Sequence, residues 1–423
     1  MLMRRRVIPL AALAVLAALA AVAPPQAVAA VRAADTVSED PADWTPHVLD
    51  GEVQAIALVG GTVVVGGEFT MVADSAGEQA YDRQNLFAFD LRTGAVLDFA
   101  PQLDGAVMSL APGPDGSVFV GGEFQVVDGA YRRGLVRLDL ATGEPVAGFT
   151  AEINWGDVRG LVPSGRWLYL AGSFSAIGGV ERVGLARVDA LTGAVDPRFD
   201  ARLSAPEIGR VKVEDIAITP SGDRLLAVGA FTRVGSTRRT QAAMFDLTRP
   251  KAALADWSTD AYAPRCRDNF DTYMRAADFS PDGRFLVIVT TGRLSGSRLT
   301  CDTAARFETY APAHTGPTWV NHTGGDSLYA VEVIGGAVYV GGHQRWLDNP
   351  YGHESEGPGA VSRPGVGAID PETGLALPWN PTRTRGVGVK AFAATPLGLL
   401  VGSDTDELGR EYHGRIGLFP RPE

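Results

Sequence analysis

Beyond the N-terminus, apolar residues gather into short runs broken by Gly, Pro, Asp and Thr, and no stretch repeats at the helical period. The runs recur in a fixed order. An aromatic marks each unit: Trp44, Phe99, Phe149, Phe199, Trp257, Trp319 and Trp379, spaced 55, 50, 50, 58, 62 and 60 residues apart. About ten residues after each marker comes an apolar segment, at 53–58, 107–110, 158–161, 216–218, 276–279, 328–333 and 389–392. A tight-turn sequence follows each: GG at 60–61, PDG at 114–116, PSG at 163–165 and 220–222, PDG at 281–283, GG at 335–336 and PLG at 396–398. Gly supplies positive φ in such turns and Pro pre-sets their first position.

The next strand is VVVGGEF (63–69), VFVGGEF (118–124), YLAGSF (169–174), LAVGAF (226–231) and, altered, VYVGGHQRW (338–346). A variable loop leads to a third strand, such as LFAFDL (86–91), LVRLDL (135–140) or AAMFDL (242–247), then a turn such as RTG (92–94), and a fourth strand that carries the aromatic marker. Four short antiparallel strands per unit predict an all-β chain, a seven-bladed β-propeller. The expected blades are 51–104, 105–154, 155–205, 206–265, 266–324, 325–385 and 386–423 plus 42–50. The last blade lacks a fourth strand at its C-terminal end, and DWTPHV (43–48) is an orphan fourth strand, so the N-terminal strand is expected to close the ring.

Upstream, Arg4, Arg5 and Arg6, an apolar run at 7–22 and the small-x-small site 27–29 predict a signal peptide over 1–29, cleaved after Ala29, then a flexible linker at 30–41. The apolar run is short for a membrane span, so a secreted, extracellular protein with no membrane span is expected. The two cysteines, Cys266 and Cys301, suit a disulfide in an exported chain. The net charge of −11 argues against a nucleic-acid partner.

Strands of the GGEF type, followed by RLD…TG turns and a strand ending in FxP or WNP, resemble the delta-60-type repeat propellers of secreted actinobacterial proteins. DTYMRAADFSPDGRFLVIVTTG (271–292), CDTAARFET (301–309), PTWVNHTGGDSLY (317–329), GGHQRWLDNP (341–350), RPGVGAIDPETGLALPWNP (363–381) and GSDTDELG (402–409) resemble one subgroup more closely. The resemblance covers residue 42 to the end and implies a propeller fold and export, but no activity.

Loops joining strand two to three, and strand four to the next blade, share one face, here called the top, where the long variable loops put function. The first position after the GG pair reads Glu68, Glu123, Ser173, Ala230, Gly292, His343, Asp404; the second reads Phe69, Phe124, Phe174, Phe231, Arg293, Gln344, Thr405. Blades 5–7 thus exchange a packing aromatic for polar groups, and a place where a repeat breaks its rule is the first to search. With neighbouring loops the candidate ligand site comprises Asp271, Tyr273, Arg275, Asp326, His343, Gln344, Arg345, Trp346, Lys390, Asp404 and Asp406. Charged groups interleaved with Tyr and Trp suit a polar ligand with an apolar face, such as a sugar; the competing reading is that Arg and Asp pair with one another.

DTDELG (404–409) lacks the third ligand and glycine spacing of a calcium loop, and no catalytic motif is present, so neither a metal nor a cofactor is expected. The expected function is a non-catalytic binding module acting through the top of blades 5–7, as a monomer, on an extracellular glycan or protein. A glycan-active hydrolase or lyase using top-face carboxylates is the second reading, and a purely structural surface protein the third.

Overall fold

Each repeat folds into an up-and-down antiparallel sheet. The computed structural model describes residues 36–264, 266, 270–292, 300–384 and 386–422; the expected signal peptide and Arg293 lie outside the described residues. The chain is all-β, and its described helical content is one 3₁₀ turn, Pro114–Gly116.

Seven principal sheets are present among the described residues. Their three inner strands are Glu52–Val59, Thr62–Glu68 and Leu86–Asp90; Val107–Pro112, Ser117–Gly122 and Leu135–Asp139; Val158–Ser164, Trp167–Gly172 and Leu185–Asp189; Lys212–Ile218, Arg224–Ala230 and Ala242–Asp246; Met274–Phe279, Phe285–Thr290 and Thr303–Glu308; Leu328–Ile334, Ala337–Gly342 and Val366–Ile369; and Ala391–Ala394, Gly398–Gly402 and Ile416–Pro420. The first strand of each sheet packs beside the first strand of the next, and that of the seventh packs beside that of the first. Seven buried apolar clusters fill the spaces between neighbouring sheets, and one joins Leu400, Ile416 and Leu418 of the seventh to Val53, Val65 and Phe87 of the first.

Local chemistry accounts for the pattern. Second strands such as Ser117–Gly122 and Phe285–Thr290 are buried at every position, which is why they read as unbroken apolar runs. The two glycines of the GG pair have different duties. A Cβ on the first would stand 2.4 Å from Val107 Cγ1 at Gly66, 2.7 Å from Val158 Cγ1 at Gly121 and 2.5 Å from Val389 Cγ1 at Gly341, so the next sheet packs where a side chain would be. A Cβ on the second would meet a carbonyl of its own sheet, at 2.0 Å from Glu52 O for Gly67 and 2.1 Å from Ala106 O for Gly122. The RTG-type turns are closed by the preceding Asp: Asp90 Oδ1 accepts from Arg92 N at 3.0 Å and Thr93 N at 2.9 Å, and Asp139, Asp189 and Asp370 repeat this.

Three expectations are corrected. The fourth strand is a true ladder only in the fourth sheet (Ala253–Leu254) and the fifth (Trp319–His322); in four others it shrinks to a single bridge, such as Leu138 to Pro145. Proline there cannot donate to a ladder, and Pro101, Pro145, Pro197, Pro378 and Pro381 all fall in this segment. Next, the segment beside the seventh sheet's last strand is 38–42, not 43–48. Ser38 N donates to Pro420 O and Ala42 N to Leu418 O, both at 2.7 Å, as Leu97 N donates to Ala88 O at 2.9 Å in the first sheet. His47–Val48 instead pairs with Met71–Ala73 of the first sheet's rim hairpin. Finally, the expected linker is docked from residue 36: Val37 and Ala42 are buried, Val37 N donates to Tyr339 Oη at 2.8 Å and Trp379 Nε1 to Ser38 O at 2.9 Å. Val37 and the adjoining Ala42 have core to gain by packing.

The loops between second and third strands form small hairpins that pair with the segment entering the same sheet, as Leu203–Ser204 pairs with Arg233–Val234 and as Leu103 bridges Val127. Both loop classes therefore lie on one face. On it Cys266 and Cys301 form a disulfide, with Cα atoms 5.9 Å apart and a sequence separation of 35. Loop-closure entropy gives such a bridge roughly 4 kcal/mol.

Candidate functional site

A bulge interrupts the first strand of six of the seven sheets at one repeated place. The register slips between Val53 and Ala55, Val107 and Ser109, Val158 and Gly160, Val213 and Asp215, Met274 and Ala276, and Leu328 and Ala330. The extra residues are Gln54, Met108, Arg159, Glu214, Arg275 and Tyr329; Lys390, between Val389 and Ala391, holds the same place in the seventh sheet. A bulge kinks its strand and re-aims a side chain. Here the large apolar residue before it, such as the fully buried Val53 or Val158, packs into the sheet interface. The bulged residue turns the other way, and all seven line one cavity of about 710 Å³.

The cavity is charged. Glu214 lies at its centre of charge: Lys212 Nζ is 2.6 Å from Oε1, Arg159 Nη1 3.3 Å from Oε2, and Arg275 Nη1 3.9 Å from Oε1. Arg159 also holds Asp157, at 2.7 Å, and lies 3.9 Å from Glu123. Burial works against the Arg159 charge, but Glu214 and Asp157 outweigh it and hold its pKa above the ordinary value. Lys390 Nζ lies 2.5 Å from Glu52 Oε2.

Asp215, Asp278 and Glu332 form a second group of carboxylates on consecutive first strands. Each accepts a backbone N–H from the first strand of the next sheet: Ala277 N to Asp215 Oδ2 at 2.9 Å, Val333 N to Asp278 Oδ2 at 2.7 Å, and Ala394 N to Glu332 Oε1 at 3.3 Å. Burial pushes Asp215 up to about 7. It raises Asp278 as well, and Glu332 is raised by burial and then by the charge of Asp278. Among the described residues no group of three or more acidic, His or Cys side chains has the geometry to hold a metal ion.

The sequence-predicted residues divide between this cavity and the rim. Arg275 and Lys390 belong to the cavity, not to the outer sector where the loops were expected to carry them. All four candidate carboxylates have an arginine partner. Asp271 meets Arg210 at 2.9 Å, Asp326 holds Arg345 two-pronged at 2.8 and 2.9 Å, Asp404 lies 3.5 Å from Arg383, and Asp406 meets Arg415 at 2.7 Å. Asp404 also accepts from Val387 N and Gly388 N, so it ties down its loop. Arg345 lies 4.3 Å over the Trp346 ring and donates to Glu354 O at 2.9 Å. Tyr273 is buried, its Oη 2.7 Å from Pro264 O and 2.9 Å from Tyr262 O, and burial raises its pKa. His343 N donates to Ser327 O at 2.8 Å.

Gln344 is the odd member. It is 1% exposed, and neither its Nε2 nor its Oε1 has a hydrogen-bond partner among the described residues. Phe69, Phe124, Phe174 and Phe231 fill that column in the first four sheets, all buried. The repeat's packing slot here holds an amide that bonds to nothing among the described residues.

Sequence reasoning missed five of the seven residues at the bulge position. The signal was a triplet of large apolar residue, any residue, then small residue, opening each first strand: VQA, VMS, VRG, VED, MRA, LYA and VKA.

A family model described as "Domain of unknown function (DUF5122) beta-propeller" matches residues 113–143 and 163–199, so the chain carries β-propeller-type repeats. None of the curated proteins matches it. Among solved structures, that of the computationally designed Ika8 protein is similar over 91% of this chain and 99% of its own, at 13% identity and a TM-score of 0.48.

Proposed function

We propose that the chain is a secreted seven-bladed β-propeller of the delta-60 type that binds a small polar ligand, without catalysis, in its central cavity. The carrying observation is the convergence of six bulge residues and the equivalent Lys390, one from each sheet, on one cavity of about 710 Å³. Sites for small molecules commonly span about 300–1,000 Å³. The seven sheets are the blades, and the 38–42 segment closes the ring by lying along Ile416–Pro420. Export is supported by the N-terminal charge and hydropathy pattern and by the disulfide.

The non-catalytic reading rests on the rim carboxylates. A glycoside hydrolase needs two carboxyl groups free to exchange protons, and Asp271, Asp326, Asp404 and Asp406 are each engaged by arginine. The mixed charges of the cavity suit recognition of a polar molecule of a few rings or residues.

The test is thermal-shift screening of the purified chain against sugars, sugar acids, amino acids and short peptides, repeated with Arg275→Met and Trp346→Ala. A ligand that stabilises the wild type and Trp346→Ala but not Arg275→Met is expected. Binding lost in Trp346→Ala and kept in Arg275→Met would move the site to the rim and overturn the reading.

A further inference from the structure

The charged groups of the cavity are not spread evenly, and some are not used up by one another. On the fifth sheet Arg275 makes one bond to its neighbour's carbonyl, Met274 O at 2.8 Å, and stands 3.9 Å from Glu214. Its Nε and Nη2 have no partner among the described residues. On the sixth sheet, the next in the ring, Tyr329 also lines the cavity, and its hydroxyl has no hydrogen-bond partner among the described residues. These are unspent donors on adjacent sheets of one cavity, and a guanidinium edge together with a phenol suits a carboxylate, which accepts from both.

The first two sheets carry the opposite sign. Glu68 lines the same cavity, is exposed, and has no ion pair among the described residues. Glu123, on the second sheet, is 3.9 Å from Arg159, a distant partner already held closer by Asp157 and Glu214. The same wall also carries apolar side chains, Met108 on the second sheet and Phe392 on the seventh.

We infer that the ligand is a zwitterion, with a carboxylate held by Arg275 and Tyr329 and an ammonium group held by Glu68 and Glu123. This rests on the central cavity being the binding site. A neutral polyol would leave Glu68 without a counter-charge. An anion alone would meet Arg275 but face Glu68 in the same cavity. A molecule bearing both groups at its ends, such as an ω-amino acid or a short peptide, satisfies both sides and lays its stem along Met108 and Phe392.

The experiment is isothermal titration of the folded chain with ω-amino acids of increasing chain length, the matching alkyl carboxylates and alkylamines, and a neutral disaccharide. The expected result is an ω-amino acid of favoured length binding at least ten-fold more tightly than its carboxylate or amine counterpart. Glu68→Gln, at an exposed strand end, should weaken the amino acid by five-fold or more and leave the carboxylate unchanged. Arg275→Gln should weaken the amino acid and the carboxylate and leave the amine unchanged. If the disaccharide binds, loses affinity in Arg275→Gln and is indifferent to Glu68→Gln, the zwitterion inference fails while the central site stands. If every probe binds the wild type and both variants alike, or none binds the wild type, both fail.

Discussion

Gly402 of the seventh sheet faces Val53 of the first so closely that a Cβ on it would stand 2.5 Å from Val53 Cγ1. The same contact joins Gly66 to Val107, Gly121 to Val158 and Gly341 to Val389, so the junction between chain ends is built like those between consecutive repeats. Gly402→Ala should therefore destabilise the fold by about 1–3 kcal/mol, the usual cost of overpacking a filled site. Val is stiff at χ1 and cannot swing clear. Denaturant unfolding of Gly402→Ala, Val53→Ala and the double variant measures it. The two changes should offset each other in part; strict additivity would mean that the residues do not touch in solution.

The N-terminal segment should matter through residues 36–42 as well as through the buried Thr45 and Val48 that follow. Tyr339→Phe removes the acceptor of Val37 N–H and should cost about 1–2 kcal/mol. Removing residues 36–42 should cost more, because Val37 and Ala42 leave buried positions. Amide exchange of Leu418 and Pro420's neighbours reads the same event: the seventh sheet should lose protection before the third does. Equal protection in both sheets of the truncated chain would contradict the docking of this segment.

Gln344→Leu should raise the melting temperature. The amide is buried with both polar atoms unpaired among the described residues, and such groups cost about 1–3 kcal/mol each when left unsatisfied. Leucine is apolar, close in volume, and matches the chemistry that the first four repeats place there. A lower melting temperature would mean that the amide has a bonding partner in solution.

Stability should fall as pH rises through neutrality, and Glu332 should be a main cause. Its pKa is raised in the folded chain by burial and by Asp278. A raised carboxyl pKa means that the folded state binds the proton more tightly than the unfolded state does. That contribution is complete below the unfolded value near 4.5 and is lost as pH climbs through the folded value, about 8. Glu332→Gln keeps an acceptor for Ala394 N but cannot ionise. Its melting temperature should exceed that of the wild type at pH 9 and approach it at pH 5; a constant offset across that range would contradict the assignment.

The repeat itself was legible in the sequence. Turn chemistry at PDG, GG and RTG, the apolar second strands and the aromatic markers are local signals, since each depends on neighbours a few residues away. They were enough to place the three inner strands of every sheet and to pair Cys266 with Cys301. The fourth strands were less legible because prolines such as Pro145 remove the ladder bond while leaving the apolar pattern intact. Which polar residues meet was not legible at all. Asp326 reads the same whether Arg345 grips it or a ligand does, and Arg275 reads as a loop residue until the bulge turns it inward. Seven equivalent positions scattered from Gln54 to Lys390 become one cavity only when the sheets are arranged side by side, because a side chain's electrostatic surroundings are set by distance in space and hardly at all by separation along the chain.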